Sequence, residues 1–227
     1  MNNQTMDNSS KSPEAISIRS HNLEEFGSVH GVTCDAEGRV WFAHGDGGSL
    51  VCVDPRSGEI MKRIEVEGAC SGTAFDGSHI WQITDANIVR VDPATGAVVQ
   101  TVERPKDTHC SGMAWSNGTL WIGDYLNKKL VQLDIESGRV LKTLDSDRFV
   151  TGIEWIDGEL WHGAWETREQ PCGPSLRKLD HGSGEVLEEL AMPDGWSVSG
   201  TGVDADGQIW CGGSHSGGLR AVRRPGS

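Results

Sequence analysis

Three recurrences in the 227-residue chain predict an all-β fold, a five-bladed β-propeller of four-stranded antiparallel blades. Trp41, Trp81, Trp121 and Trp161 lie 40 residues apart and Trp210 follows 49 later, each in a similar apolar segment. Ahead of each Trp stands a glycine: Gly31, Gly72, Gly112, Gly152 and Gly200. Behind four of them comes an aspartate-led turn, as in VDPRSG, VDPATG, LDIESG and LDHGSG.

The elements follow in order within each unit. The glycine run and the Trp run flank a tight turn (AEG, FDG, SNG, IDG, ADG), which is the pattern of a β-hairpin. The next run ends in the aspartate turn and makes a third strand. EIMKRIEV, AVVQTVE, RVLKTL and EVLEEL then supply fourth strands. The fifth unit stops after its third strand, near Arg220 to Arg224. Its fourth strand is expected from the N-terminus, Ala15 to Ser20, so that the two chain ends close the ring and cover an open edge. The expected organisation is one domain over residues 15–227 with a disordered lead-in over 1–14. The fourth unit carries an insertion, Glu166 to Gly173, between its second and third strands.

Composition narrows the function classes. The chain has 30 Gly, 9 Trp, 4 Phe and 1 Tyr, and the registered Trp residues explain most of the aromatic imbalance as packing between blades. Its formal net charge of −13, with no basic cluster, makes nucleic acid and anionic membrane surfaces poor partners. No apolar run reaches transmembrane length, and Met1 to Pro13 lacks the apolar core of a secretory signal. The six Cys show no CxxC spacing, so free thiols in a reducing cytoplasm are expected. Cys52 and Cys211 read as small core residues, and His79 and His181 as turn residues.

Strand alternation puts the start of each first strand and the end of each second strand on one face of the ring. The ionisable and aromatic residues at those positions converge on one mouth. The candidate catalytic residues are His30, His109, Asp124, Glu154 and Glu166. The candidate binding residues are His44, Asp85, Cys110, Tyr125, Trp165, Trp196 and His215. Two breaks in the repeat stand out. His30 occupies a position where the other units carry Ser71, Ser111, Thr151 and Ser199. Glu154 occupies one where they carry Thr33, Ala74, Ala114 and Gly202. His109 and Cys110 are adjacent, so strand alternation sends them to opposite faces. A divalent cation would be held by His30, His44 or His215 with Asp46, although the spacing carries no metal signature.

The repeat G-x-x-x-x-x-G-x-[IL]-W, followed by [IL]-x-x-[VL]-D-P-x-[TS]-G, resembles the YncE-like and glutaminyl-cyclase-like propellers and virginiamycin B lyase, over about residues 15–224. The resemblance to glutaminyl cyclases implies five blades, and Gly48-Ser49-Leu50 is similar to a third-strand motif of that family. That family places an acid after the second-strand aromatic, where this chain has Trp41-Phe42-Ala43-His44. Ile153-Glu154-Trp155 looks like its fourth-blade acidic stretch. Val29-His30-Gly31-Val32 is similar to the first-strand motif of the lyase, which has seven blades and uses a divalent metal.

These residues point to an enzyme of lyase, cyclase or isomerase type, acting on a small polar molecule. His30 or His109 would serve as base, with Asp124, Glu154 or Glu166 as partner and Tyr125, Trp165 and Trp196 as walls. The alternative is a non-catalytic propeller that binds a ligand or a protein. A third reading makes Cys70 and Cys110, equivalent in neighbouring units, a redox or metal pair. No Walker loop or GxSxG elbow is present.

Overall fold

The computed structural model describes residues 12–168 and 173–223. Five four-stranded antiparallel sheets form the blades. The chain enters through β1 (Ile16–Asn22) and a single 3-10 turn, Glu24–Phe26. Blade 1 comprises β2 (His30–Cys34), β3 (Val40–His44), β4 (Ser49–Val53) and β5 (Ile60–Glu65). Blade 2 comprises β6 (Ala69–Phe75), β7 (Ile80–Thr84), β8 (Asn87–Val91) and β9 (Val98–Glu103). Blade 3 comprises β10 (Cys110–Ser116), β11 (Thr119–Asp124), β12 (Lys129–Asp134) and β13 (Val140–Asp145). Blade 4 comprises β14 (Phe149–Ile156), β15 (Glu159–Trp165), β16 (Ser175–Leu179) and β17 (Val186–Ala191). Blade 5 comprises β18 (Gly200–Val203), β19 (Ile209–Gly212) and β20 (Gly218–Arg223), completed by β1.

The N-terminal strand therefore closes the ring, pairing Ile16 with Arg223 at one end and Asn22 with Gly218 at the other. The expected lead-in of 1–14 divides. Residues 1–11 lie outside the described residues, whereas Pro13 and Glu14 are already tied down. The Ala191 N–H donates to the Pro13 carbonyl and the Ala15 N–H to the Ala191 carbonyl, and Glu14 bridges to Ala191.

The registered Trp residues are buried, and each packs against the next blade. Trp41 meets Ile80 and Val91, Trp81 meets Leu120 and Leu133, and Trp121 meets Leu160 and Leu179. Trp161 meets Ile209 and Val222, and Trp210 meets Val40 and Val53. Cys52 and Cys211 are buried among these side chains, as expected.

The five registered glycines form the waist of the ring. A Cβ on Gly31 would stand 2.0 Å from the Ser71 carbonyl oxygen, and one on Gly112 would stand 2.1 Å from that of Thr151. A Cβ on Gly200 would stand 2.5 Å from the Val32 nitrogen, which completes the circle. Five inner strands can approach the axis this closely only where no side chain intervenes. The waist narrows the axial channel and gives the mouth above it a floor.

Candidate active site

Above the waist lies a cavity of about 510 Å³. Its floor carries the residues that precede the waist glycines: His30, Ser71, Ser111, Thr151 and Ser199. Three of the hydroxyls bond to the next blade. Ser71 donates to the Cys110 carbonyl (3.3 Å), Ser111 to that of Val150 (2.8 Å) and Ser199 to that of Val29 (2.7 Å). His30 breaks this circle with an imidazole. Its ring lies edge-on to that of His215, with centroids 5.7 Å apart. Burial, and then the neighbouring His215, hold His30 below its usual 6.5, against an opposing pull from Asp46. His30 is therefore neutral at pH 7, the form a general base requires.

Across the floor stands His109. The buried Asp124 carboxylate accepts its backbone N–H at 2.9 Å and lies 3.8 Å from its Nδ1. Asn127 donates to the other Asp124 oxygen at 2.8 Å. Asp124 is thus a positioning group beneath His109 rather than part of the lining. The walls are Tyr125 and Trp165, whose rings meet edge-on at 6.4 Å, with Leu126 beside them. Phe149 stacks behind Tyr125 at 4.8 Å. Arg104 closes the rim, its Nη1 held by the Thr84 and Asp85 carbonyls (3.2 and 2.8 Å).

Cys70 and Cys110 also line the cavity. Burial raises the Cys70 pKa, so its thiol stays protonated. Both are free thiols, as are Cys34, Cys52 and Cys211. Contrary to the alternation argument, His109 and Cys110 reach the same cavity. The pairing register slips between Cys110 and Met113, and similar slips occur in blades 1, 2 and 4. His109 precedes β10, so strand alternation does not govern it, whereas the bulge within β10 breaks the two-residue period and lets Cys110 and Ser111 both line the mouth.

Of the predicted residues, His30, His109, Cys110, Tyr125, Trp165 and His215 therefore come together, with Asp124 directly beneath them. The others do not. His44 packs edge-on against Phe26 at 5.2 Å, and Trp196 lies beneath the Arg220 guanidinium at 4.8 Å. Asp85 is exposed outside the lining, and exposed Glu166 accepts the Gly173 N–H at 3.2 Å. Glu154 lies beyond the waist, opposite Trp161, where its carboxylate takes up the Trp155 N–H at 3.0 Å. It keeps some solvent contact, yet crowding around the carboxyl pushes its pKa up to about 8. His44 is outside the cavity lining, and no group of three or more His, Cys, Asp or Glu among the described residues is placed to hold a metal ion. Sequence reasoning missed Arg104 and Leu126. Both stand in connections between repeat landmarks, where register says nothing.

The fold and mouth define a five-bladed propeller with one concave, mixed aromatic and imidazole site. Among solved structures, glutaminyl cyclase from Myxococcus xanthus matches with a TM-score of 0.76 at 15% identity, over 93% of this chain and 97% of that one. Virginiamycin B lyase from Staphylococcus aureus matches with a TM-score of 0.53 at 15% identity, over 85% of this chain and 66% of that one. A catalytically inactive form of that lyase with quinupristin gives 0.52 at 16% identity, over 86% of this chain and 66% of that one. At these identities the likeness is one of fold. No protein-family model and no curated protein sequence matches the chain.

Proposed function

We propose that the protein is an enzyme of the lyase, cyclase or isomerase type that acts on a small molecule bound above the glycine waist. The observation that carries this reading is His30. One imidazole replaces a hydroxyl in an otherwise regular floor, opens on the cavity and is held neutral. In this reading His30 abstracts a proton from the bound molecule. His109, anchored by Asp124, delivers one to the leaving group. Tyr125 and Trp165 exclude water from one side of the reacting centre.

The first test offers a peptide with N-terminal glutamine, quinupristin and a panel of small hydroxy and amino acids to the protein, and follows them by mass spectrometry. We expect one class to turn over and His30→Asn to lower kcat about 10²–10⁴-fold while circular dichroism stays unchanged. The base must be neutral to act. The rate should therefore fall in acid with a midpoint below pH 6.5, the usual value from which His30 is displaced. Full turnover by His30→Asn would overturn the assignment. Ligand binding without turnover would favour the non-catalytic module.

A further inference from the structure

The charge of the cavity runs against the charge of the molecule. The chain carries a formal net charge of −13, yet among the described residues no Asp or Glu lines the cavity. The lining instead holds Arg104 and the imidazoles of His30, His109 and His215, with the neutral thiols and phenol of Cys70, Cys110 and Tyr125. The nearby described carboxylates stand outside the lining. Both Asp124 oxygens are occupied by the His109 and Asn127 N–H groups. Asp85 and Asp46 are exposed outside the lining, near enough to act on Cys70 and His30 respectively.

The hydrogen-bonding surplus has the same sense. The buried Trp165 indole N–H has no acceptor among the described residues, and the buried Thr151 hydroxyl has no partner there. Arg104 has one guanidinium nitrogen anchored on two backbone carbonyls at the rim, and among the described residues no carboxylate forms an ion pair with it. A fixed cation, surplus donors and an aromatic wall together describe a receptor for an anion that has an apolar body.

We infer that the cavity binds a small organic anion, a carboxylate with an aromatic or aliphatic body, with the charge at Arg104 and the body against Tyr125, Leu126 and Trp165. This names the ligand class for the site of the proposed enzyme and rests on that reading for the site itself. It is tested by binding, so that it can fail while His30-dependent turnover stands, and the reverse.

Isothermal titration calorimetry at pH 7 would compare phenylacetate, its neutral amide and phenethylamine, which share a body and differ in charge. We expect phenylacetate to bind at least about tenfold tighter than either, and the preference to shrink in high salt. Arg104→Gln should remove the preference. His215→Asn, at an exposed position less exposed to folding effects, should reduce it. Arg63→Gln, on the outer strand of blade 1, should leave it intact. Equal or tighter binding of the amine overturns the inference. So does an unchanged preference in both cavity variants, or no heat from phenylacetate at ~10 mM.

Discussion

At the scale of single residues, the waist glycines and the turn acids do most to specify the ring. Gly112→Ala would drive a Cβ to 2.1 Å from the Thr151 oxygen and 2.5 Å from the Ile153 nitrogen, both backbone atoms that cannot rotate away. We expect a loss of about 3 kcal/mol or more, read as a shift in the urea midpoint. A wild-type midpoint would show that the inner strands part easily. The turn acids act on the registered Trp residues. Asp35, Asp76 and Asp204 accept the indole N–H of Trp41, Trp81 and Trp210 at 2.7, 2.9 and 2.8 Å. Blade 3 has Ser116 in that place, and the Trp121 indole N–H has no partner among the described residues. Blade 4 has Ile156 there, and Glu159 takes over the bond to Trp161 at 3.0 Å. The glycine and Trp positions are readable because five copies share them. The acid–indole bond joins positions five or six apart whose identity varies, so one sequence does not display it.

At the scale of elements, ring closure and the inner-strand bulges set the shape of the mouth. β1 covers the β20 edge of blade 5 with one register shift, between Ser17 and Arg19. A chain beginning after Asn22 should expose that edge and leave blade 5 with three strands. Size-exclusion chromatography is expected to show oligomers or aggregate, with a lower melting temperature. A monomer melting with the full-length chain would show that closure contributes nothing. The strand order was legible because repeat spacing fixes four strands per unit and the last unit visibly lacks one. The bulges were not legible, because a slip of one residue leaves no mark on hydrophobic alternation so short. Their consequence is local but matters for chemistry, since in blade 3 the slip lets Cys110 and Ser111 both line the cavity. Arg148 was missed as a positioning residue because it stands in the connection between β13 and β14, where the repeat register says nothing. It is buried, and its guanidinium holds the carbonyls of Trp165 and Gly173 at 3.2 and 2.7 Å, fixing the ends of the blade-4 insertion beside the cavity wall.

At the scale of the whole molecule, two groups displaced in opposite directions give folding a defined response to pH. Burial pushes Glu154 up to about 8 from 4.5, against the opposing Trp155 and Val203 N–H groups. The folded chain therefore holds a proton that the unfolded chain has lost, and stability falls as pH rises from 4.5 towards 8. Burial lowers His162 to about 4 from 6.5, although its bond to the Gly163 carbonyl opposes this. The unfolded chain there binds a proton that the folded one refuses, so stability falls as pH drops from 6.5 towards 4. His30, lowered from 6.5, adds to that acid arm, and Asp76, lowered from 3.8, acts only further down. The two slopes oppose each other between 4.5 and 6.5, which makes this window the top of the stability curve. Gln replacements separate the arms. In blade 2, Gln82 stands in register with His162 and donates to the Ile83 carbonyl at 2.7 Å, just as His162 meets that of Gly163 at 2.9 Å. His162→Gln should therefore fold and flatten the acid arm. Glu154→Gln should flatten the alkaline arm and stabilise the protein at pH 8 by on the order of 2 kcal/mol. Melting temperatures of the three proteins from pH 4 to 8 decide the matter. A Glu154→Gln curve that declines above pH 6.5 in parallel with wild type would place the alkaline loss on other groups and return Glu154 to the solvated carboxylates.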